Sequence, residues 1–201
     1  MRKIFYIAVL IISIGSYGQE GVKVGLNVSP GFKVNMSKQK GTGLRNNNTG
    51  YGFNVGLPVK VWVSEFTALN TGVNYDFAAF DSYFDGLLIS SFRVSAIDVP
   101  VLFNIHMSGQ YYGLLGGGVA YNLRVADLNA ALGTNLTGVS NRIQPYLSVG
   151  INNLMEKDFG LLEIGILGRY QLLDIWKSSY QPYENISSHL VSLDLLFRYY
   201  F

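Results

Sequence analysis

Residues 189–201 read HLVSLDLLFRYYF and alternate in polarity along their whole length. One set of alternate residues is apolar, and the other set is mixed and carries the two charges of the stretch, Asp194 and Arg198. Successive side chains of a β-strand point to opposite faces, so this stretch is predicted to be a strand with one apolar face. Asp194 and Arg198 have the spacing of a helical pair, but the alternation and the aromatic content favour a strand. The apolar face consists of Phe201, Tyr199, Phe197, Leu195, Leu193 and Val191.

The same alternation occurs in seven earlier segments. The two clearest are VKVGLNVS at 22–29 and YGFNVGLPVKVWV at 51–63. The other five are LNTGVNYDF (69–77), AIDVPVLFNIHM (96–107), YYGLLGGGVAYNL (111–123), IQPYLSVGI (143–151) and LLEIGILGRYQL (161–172). The chain is 49% hydrophobic, with 14 Tyr, 12 Phe and 23 Gly. This combination is typical of membrane-spanning β-strands, so the predicted fold is all-β, a transmembrane antiparallel up-and-down barrel of about eight strands.

The first residues, MRKIFYIAVLIISIGSYGQ, have the pattern of a secretory signal peptide. Arg2 and Lys3 form a basic start, an apolar run follows, and Ser16 and Gly18 are small residues at the spacing of a cleavage site. We therefore expect cleavage after residue 18, with residues 19–201 forming one barrel domain. A retained membrane anchor is the alternative, but the apolar run is short for a spanning helix.

Charge and cysteine content exclude several functional classes. Without Arg2 and Lys3, thirteen of the fifteen basic residues remain, against thirteen acidic residues. No basic excess is left to bind nucleic acid. The chain contains no Cys, so it forms no disulfide and carries no lipidated Cys. The sequence predicts no cofactor and no metal site, because its only two histidines are His106 and His189, far apart in sequence.

The predicted connections alternate between short and long. Short ones lie near 64–67, 108–110 and 153–158, and long ones near 35–49, 80–91, 124–141 and 173–188. Outer-membrane barrels have short periplasmic turns and longer extracellular loops, so both chain ends are expected on the periplasmic side. Aromatic residues of the long loops either extend an interfacial belt or pack within the loops; these are Tyr83, Phe84, Trp176, Tyr180 and Tyr183.

Closure of the sheet follows from the physics of the bilayer. An unpaired backbone group in hydrocarbon costs several kcal/mol, and pairing the last strand with the first removes both sheet edges. A barrel of about eight strands is just wide enough for its side chains. We therefore expect a plugged barrel, in which inward glycines make room for the large inward residues Trp62, Tyr146 and Arg169.

The inward charges of the last two strands are predicted to pair. The connection between these strands is centred near position 180.5, so partners should have residue numbers that sum to about 361. Glu163 and Arg198 meet this condition, and Arg169 and Asp194 miss it by one diagonal step. Since a charge in a narrow interior needs a partner, we predict that these four residues form a structural ionic network, which Lys23 and Lys60 are candidates to join.

Several motifs together resemble an outer-membrane β-barrel family of the Bacteroidetes that includes PorT-like proteins. They are the signal peptide followed by VKVGLNVSPG, the mid-chain AIDVPVLFNI, the glycine-rich GLLGGGVAYNL and the final Phe201. In DVPVLFN, Asp98 and Pro100 occupy the places of the family's acidic-x-Pro-apolar strand. The resemblance covers essentially the whole mature chain and implies a small antiparallel barrel in the cell outer membrane. It supplies no catalytic residues.

The resemblance also implies partners. Some relatives assist protein secretion, so secretion-system proteins are expected partners, along with outer-membrane lipids. Outer-membrane proteins commonly end in an aromatic residue that the barrel-assembly machinery reads, and Phe197, Tyr199 and Phe201 resemble that signal. Simple lipid-facing packing explains the same residues. The expected function is a non-enzymatic scaffold or interaction protein, accessory to protein secretion.

Three alternatives remain open at this point. A lipid-modifying hydrolase similar to a lipid A deacylase would use His189, which falls on the lipid-facing parity beside Ser187 and Ser188. A small pore and a ligand-binding or adhesive role of the outer loops are the other two. The glycines of GLLGGGVA are not a phosphate-binding loop, because they lie inside a strand pattern without the required Lys-Ser/Thr sequel.

Overall fold

The computed structural model describes residues 21–39, 45–84, 87–127, 135–138, 140–175 and 186–201. Eight β-strands follow one another along the chain, and each pairs antiparallel with the next. They are β1 (Val22–Gln39), β2 (Arg45–Ser64), β3 (Thr67–Phe84), β4 (Leu87–Ser108), β5 (Tyr111–Asp127), β6 (Ile143–Lys157), β7 (Gly160–Gln171) and β8 (Ile186–Tyr200). β1 also pairs antiparallel with β8, which closes the barrel and confirms the predicted fold.

Two of the short connections lie where the sequence predicts them, and the third, predicted near 153–158, is a turn at 158–159 because β6 runs to Lys157. Two-residue turns at 65–66, 109–110 and 158–159 join β2 to β3, β4 to β5 and β6 to β7. Gly109 has a φ of 57°, a left-handed conformation that a glycine adopts without strain. The end of β8 lies at the same end of the barrel, where the Phe201 N–H donates to the Val24 carbonyl at 2.9 Å. By the rule for outer-membrane barrels, this end is periplasmic.

Two of the predicted long connections are wrong. Most of 35–49 and of 80–91 is strand, because β1 runs to Gln39, β2 begins at Arg45, β3 runs to Phe84 and β4 begins at Leu87. Alternation marks a strand only where one face meets lipid and the other the interior. Beyond the bilayer both faces are wet, so the polarity signal ends while the backbone pairing continues.

Some expectations fall on residues outside the described part of the chain. These are the signal peptide at 1–18 and the loop aromatics Trp176, Tyr180 and Tyr183. The side chains of Tyr83 and Phe84 also lie outside it.

The two faces of each strand have opposite environments, as predicted. Outward residues are exposed and apolar on all eight strands; they include Val28, Phe53, Val73, Val101, Leu115, Val149, Ile166 and Leu195. Inward residues are buried, and many are polar; they include Asn27, Lys60, Asn74, Asp98, Asn104, Gln144, Glu163 and Asp194. The apolar belt therefore faces outward and the polar groups face one another inside the closed wall, the arrangement that a bilayer requires.

The interior is layered along the barrel axis. Three apolar clusters lie at the extracellular end, in the middle and at the periplasmic end, represented on β8 by Leu190, Leu196 and Tyr200. Asp194 lies between the first two clusters and Arg198 between the last two, and both are buried. At the extracellular end, Leu136 and Ile175 from the two long connections fold into the barrel mouth. Apolar and charged layers therefore alternate inside the barrel.

Candidate functional site

The periplasmic-side ionic cluster consists of Lys60, Glu163 and Arg198. Arg198 Nη1 donates to Glu163 Oε1 at 3.0 Å, and Lys60 Nζ lies 2.8 Å from Glu163 Oε2. The Tyr200 hydroxyl also donates to Glu163 Oε2, at 3.1 Å, and the Lys60 ammonium lies 4.9 Å from the centre of the Tyr200 ring. The Glu163 carboxylate thus neutralises one of the two cations, Lys60 and Arg198. Both of its oxygens have partners, as a buried charge requires.

The extracellular-side ionic cluster is built around Arg169 and Asp194. Arg169 Nε donates to Asp194 Oδ2 at 2.7 Å, and Arg169 Nη2 donates to Asp76 Oδ1 at 3.1 Å. Lys33 Nζ contacts the same two carboxylates, at 3.1 Å from Asp194 and 3.4 Å from Asp76. Asp98 Oδ2 lies 3.6 Å from Arg169 Nη1. Two cations therefore face three carboxylates here, the opposite imbalance to that of the periplasmic-side cluster.

Buried asparagines connect the two clusters. Arg198 Nε lies within 3.4 Å of the Asn27 side-chain oxygen, and Asn27 Nδ2 donates to Asn54 Oδ1 at 2.5 Å. Asn74 donates to Asp98 Oδ2 at 3.4 Å and accepts from Asn27 at the same distance. The combined clusters hold four cations and four carboxylates, so this polar path joins two groups whose charges cancel.

The central part of the interior leaves little open space. A cavity of about 20 Å³ is lined by residues of both clusters, among them Asp98, Arg169, Asp194 and Arg198. This volume suffices for one water molecule. Beside it, Leu102, Leu114, Leu167 and Leu196 form the middle apolar layer between the clusters. The barrel is thus filled by its own side chains at this depth.

The four residues of the predicted network all lie inside the barrel. Glu163 and Arg198 are direct cross-strand partners, whereas Arg169 is opposite Ser192 and reaches Asp194 diagonally. They fall into two clusters rather than one. Lys60 joins the periplasmic-side cluster. Lys23 on β1 is the register partner of Lys60 and is half-buried.

The network predicted from the sequence omitted Lys33, Asp76 and Asp98, all three of which contact its members. The parity of β1 could have found Lys33, because it follows Asn27 and Ser29 on the inward face. The pair Pro30–Gly31 obscured that signal, although β1 continues through it without a break. Gly31 is required there, since a Cβ would collide with the Asp194 carboxylate.

The terminal aromatics form an exposed group at the periplasmic edge. The Tyr199 and Phe201 rings meet edge to face, with centroids 5.3 Å apart. The Tyr199 hydroxyl donates to the Phe159 carbonyl in the β6–β7 turn at 2.6 Å. Phe197 lies higher on the same lipid-facing side. This group is thus accessible from the membrane and fixed to a neighbouring turn.

A polar cluster, here called the rim cluster, lies at the extracellular end of β8. It consists of Ser187, His189 and Asp174. The Ser187 hydroxyl donates to Asp174 Oδ1 at 2.7 Å and lies 3.3 Å from His189 Nε2. Asp174 Oδ1 also accepts from the Ser188 N–H at 2.8 Å and lies 3.4 Å from His189 Nε2. His189 Nδ1 faces the Gln171 carbonyl at 3.2 Å, so all three side chains are held by the strand ends.

Comparison with one solved structure agrees with the fold. Neisserial surface protein A is similar in structure, with a TM-score of 0.56 and 12% identity over 90% of this chain and 100% of that chain. The attachment invasion locus protein Ail of Yersinia pestis, in complex with the heparin analogue sucrose octasulfate, has a TM-score of 0.48 and 16% identity over 91% of this chain and 100% of that chain. A search of curated protein sequences finds no match.

No helix among the described residues is long and apolar enough to cross a membrane. The family described as outer membrane protein beta-barrel domain matches residues 17–146, well over half of the chain. Together with the closed eight-stranded barrel and its apolar belt, this match places the protein in the outer membrane. The chain therefore belongs to the outer membrane protein β-barrel domain family.

Proposed function

We propose that this protein is a non-enzymatic scaffold of the outer membrane that binds other envelope proteins. The observation that supports this most is the filled interior, in which apolar layers alternate with two ionic clusters. Among the described residues, a barrel packed in this way offers a rigid frame whose central cavity, at about 20 Å³, is far too small for a substrate. Function then resides on the surfaces and loops that the frame holds in place.

We propose that this scaffold takes part in protein secretion. The support is the resemblance of VKVGLNVSPG and AIDVPVLFNI to PorT-like barrels, some of which assist secretion. Two extracellular connections, at 128–142 and 172–185, are much longer than the two-residue periplasmic turns, so they are the expected contact regions for a partner.

Cross-linking in the native envelope, followed by purification of the barrel, tests this role. We expect a secretion component to be recovered with the wild-type protein. Replacing residues 177–184 by a Gly-Ser segment of equal length should remove that component and retain the assembly machinery and lipids. Recovery of only assembly machinery and lipids with the wild-type protein would count against the role.

Single-channel recording tests the small pore as an alternative. A barrel whose described interior is filled by side chains should give no conductance above that of the bilayer. Reproducible stepwise openings by the purified protein would contradict the sealed scaffold and support a pore.

The rim cluster favours a lipid hydrolase as the second candidate function. Ser187 and His189 approach each other at 3.3 Å on the lipid-facing side. In a Ser-His-acid triad, however, the acid orients the histidine nitrogen that faces away from the serine. Here Asp174 lies at Nε2, on the serine side, and a backbone carbonyl faces Nδ1. This arrangement fits a hydrogen-bonded rim better than an activated nucleophile.

An acylation assay decides between the two functions. Purified barrel incubated with lipid A should leave its acyl chains intact. If the wild-type barrel removes an acyl chain and neither Ser187→Ala nor His189→Ala does so, the hydrolase is established and the non-enzymatic role is overturned.

A further inference from the structure

An apolar groove runs along the lipid-facing surface across β6, β7 and β8. It encloses about 560 Å³, and its walls include Phe32, Leu115, Val149 and Leu193. These side chains are exposed members of the apolar belt. The groove is therefore a depression in the surface that contacts the bilayer.

Gly168 forms the floor of the groove. Its register partners are Val149 on β6 and Leu193 on β8, so a position without a side chain lies between two projecting ones. A Cβ at Gly168 would meet only the Val149 carbonyl oxygen, at 3.5 Å. The space above Gly168 is thus open, and a larger side chain there would fill the groove.

The groove is continuous with the rim cluster. Tyr170, the next outward residue of β7, lines the groove, and its ring stacks on His189 with centroids 5.6 Å apart. Ser187 and Asp174 lie immediately beyond His189. An apolar channel in the lipid-facing wall therefore leads to a carboxylate, a hydroxyl and an imidazole at the extracellular end.

The depth of this path covers about two thirds of one leaflet. Leu193 and His189 are four residues apart on β8, about 14 Å along the strand, which a tilt of about 35–45° reduces to roughly 10–11 Å of depth. The hydrocarbon core of a bilayer is about 30 Å thick, so half of it is about 15 Å. A chain lying in the groove would start at the rim and extend through most of the outer leaflet.

We propose that the groove and the rim cluster form a binding site for one outer-leaflet lipid with an ammonium-bearing headgroup. Its acyl chain lies in the groove over Gly168, and its ammonium group pairs with the Asp174 carboxylate. The groove opens onto the surface that already contacts acyl chains, so a chain enters it without leaving the bilayer. At the rim, the fixed Asp174 carboxylate supplies the complementary charge for an ammonium group. This site does not depend on the scaffold role.

Native mass spectrometry of the full barrel tests the site. Nanodiscs made of equal amounts of phosphatidylethanolamine and phosphatidylglycerol supply the lipids, and the barrel is then released in mild detergent. We expect one retained phosphatidylethanolamine per wild-type barrel. Gly168→Leu should reduce this retention at least tenfold, because the leucine side chain occupies the groove.

Two further variants serve as control and as headgroup test. Gly113→Leu places the same side chain on an outward glycine outside the groove. The atoms nearest a Cβ there belong to the Met107 side chain and the Ile105 carbonyl, at 3.4 Å or more, so this variant should retain the lipid. Asp174→Asn keeps an acceptor for Ser187 and Ser188 but removes the charge, so preference for phosphatidylethanolamine over phosphatidylglycerol should fall to about equal binding. Far-UV circular dichroism checks that every variant is folded.

Three results would overturn the proposal: no stoichiometric lipid on the wild-type barrel, equal retention by Gly168→Leu and wild type, or an unchanged headgroup preference in Asp174→Asn. Retention of a lipid that has lost an acyl chain would support the groove but overturn the non-enzymatic role. The lipid site and the scaffold role can therefore fail separately.

Discussion

Glu163 and Arg198 face each other directly across β7 and β8, with Arg198 Nη1 3.0 Å from Glu163 Oε1. Both are buried, and Lys60 shares the same carboxylate. Because these side chains lie inside the closed barrel wall, each charge is compensated mainly by the others. This dependence makes the periplasmic-side cluster the most sensitive part of the interior.

Glu163→Gln should strongly destabilise the barrel. The substitution leaves Lys60 and Arg198 buried without a carboxylate, and breaking a buried pair in this way costs about 3–5 kcal/mol. Unfolding by urea in detergent micelles measures the loss of free energy. Glu65→Gln, in the exposed β2–β3 turn, is the matched control and should change the free energy by less than about 0.5 kcal/mol. Equal stability of the two variants would contradict a structural role for the cluster.

Lys33 and Arg169 should not contribute equally to the extracellular-side cluster. Arg169→Met leaves Asp76, Asp98 and Asp194 with a single cation, whereas Lys33→Met leaves the same carboxylates with an arginine that contacts all three. We expect the arginine variant to unfold at a lower urea concentration. Because both cations bind Asp194, a double-mutant cycle should give a coupling of about 0.5–3 kcal/mol. Strict additivity would show that they act separately.

Gly31→Ala should impair folding more than Gly168→Ala, although both add one methyl group. At Gly31 the new Cβ would collide with the Asp194 carboxylate and displace it from Lys33 and Arg169. At Gly168 the nearest atom is 3.5 Å away, an ordinary contact. The fraction of heat-modifiable, folded barrel on gels measures the difference. A fully folded Gly31→Ala variant would disprove the tight fit.

Charge on the apolar belt should be tolerated at its edge and not at its middle. Val101 lies on the outward face, seven residues before the end of β4 at Ser108, whereas Val63 lies one residue before the end of β2 at Ser64. Val101→Arg should cost about 2–4 kcal/mol and Val63→Arg about 0–1 kcal/mol. Unfolding from lipid vesicles gives both values. A similar cost at the two sites would place the hydrocarbon boundary elsewhere.

Substitution of Phe201 tests whether this residue is an assembly signal or only packs against lipid. If the assembly machinery reads it, Phe201→Ala should slow insertion several-fold when the machinery is present and leave spontaneous folding into vesicles unchanged. Phe159→Ala removes another exposed aromatic residue at the same edge and should slow neither process. Protease protection measured over time gives the insertion rate of each variant. An equal slowing of both variants in vesicles would assign Phe201 to packing.

The sequence predicts most accurately what the bilayer imposes. The period-2 pattern identified the outward face of every strand within the belt, because lipid tolerates only apolar groups there. The pairing of Glu163 with Arg198 followed from the register of a single hairpin.

The features that the sequence did not predict are those that the bilayer does not impose. Lys33 meets Asp194 across the β1–β8 seam, between residues 161 positions apart. No local pattern specifies such a contact, because it depends on closure of the whole barrel. The strand ends near Gln39 and Phe84 were missed for a different reason, since polar residues on both faces leave no alternation to detect. The rim cluster likewise required the β7–β8 connection to bring Asp174 beside Ser187.

The β1–β8 seam sets the order of events in folding. β1 can pair with β8 only when the chain is present through β8, so the pairing that closes the barrel is a late step. Contacts this distant in sequence make folding slow. A chain shortened before β8 would leave β1 and β7 each with an unpaired edge and would remove Asp194, one of the two carboxylates that Lys33 contacts. Synthesis through β8 is therefore required before the barrel can close, and a chain that lacks β8 keeps open sheet edges.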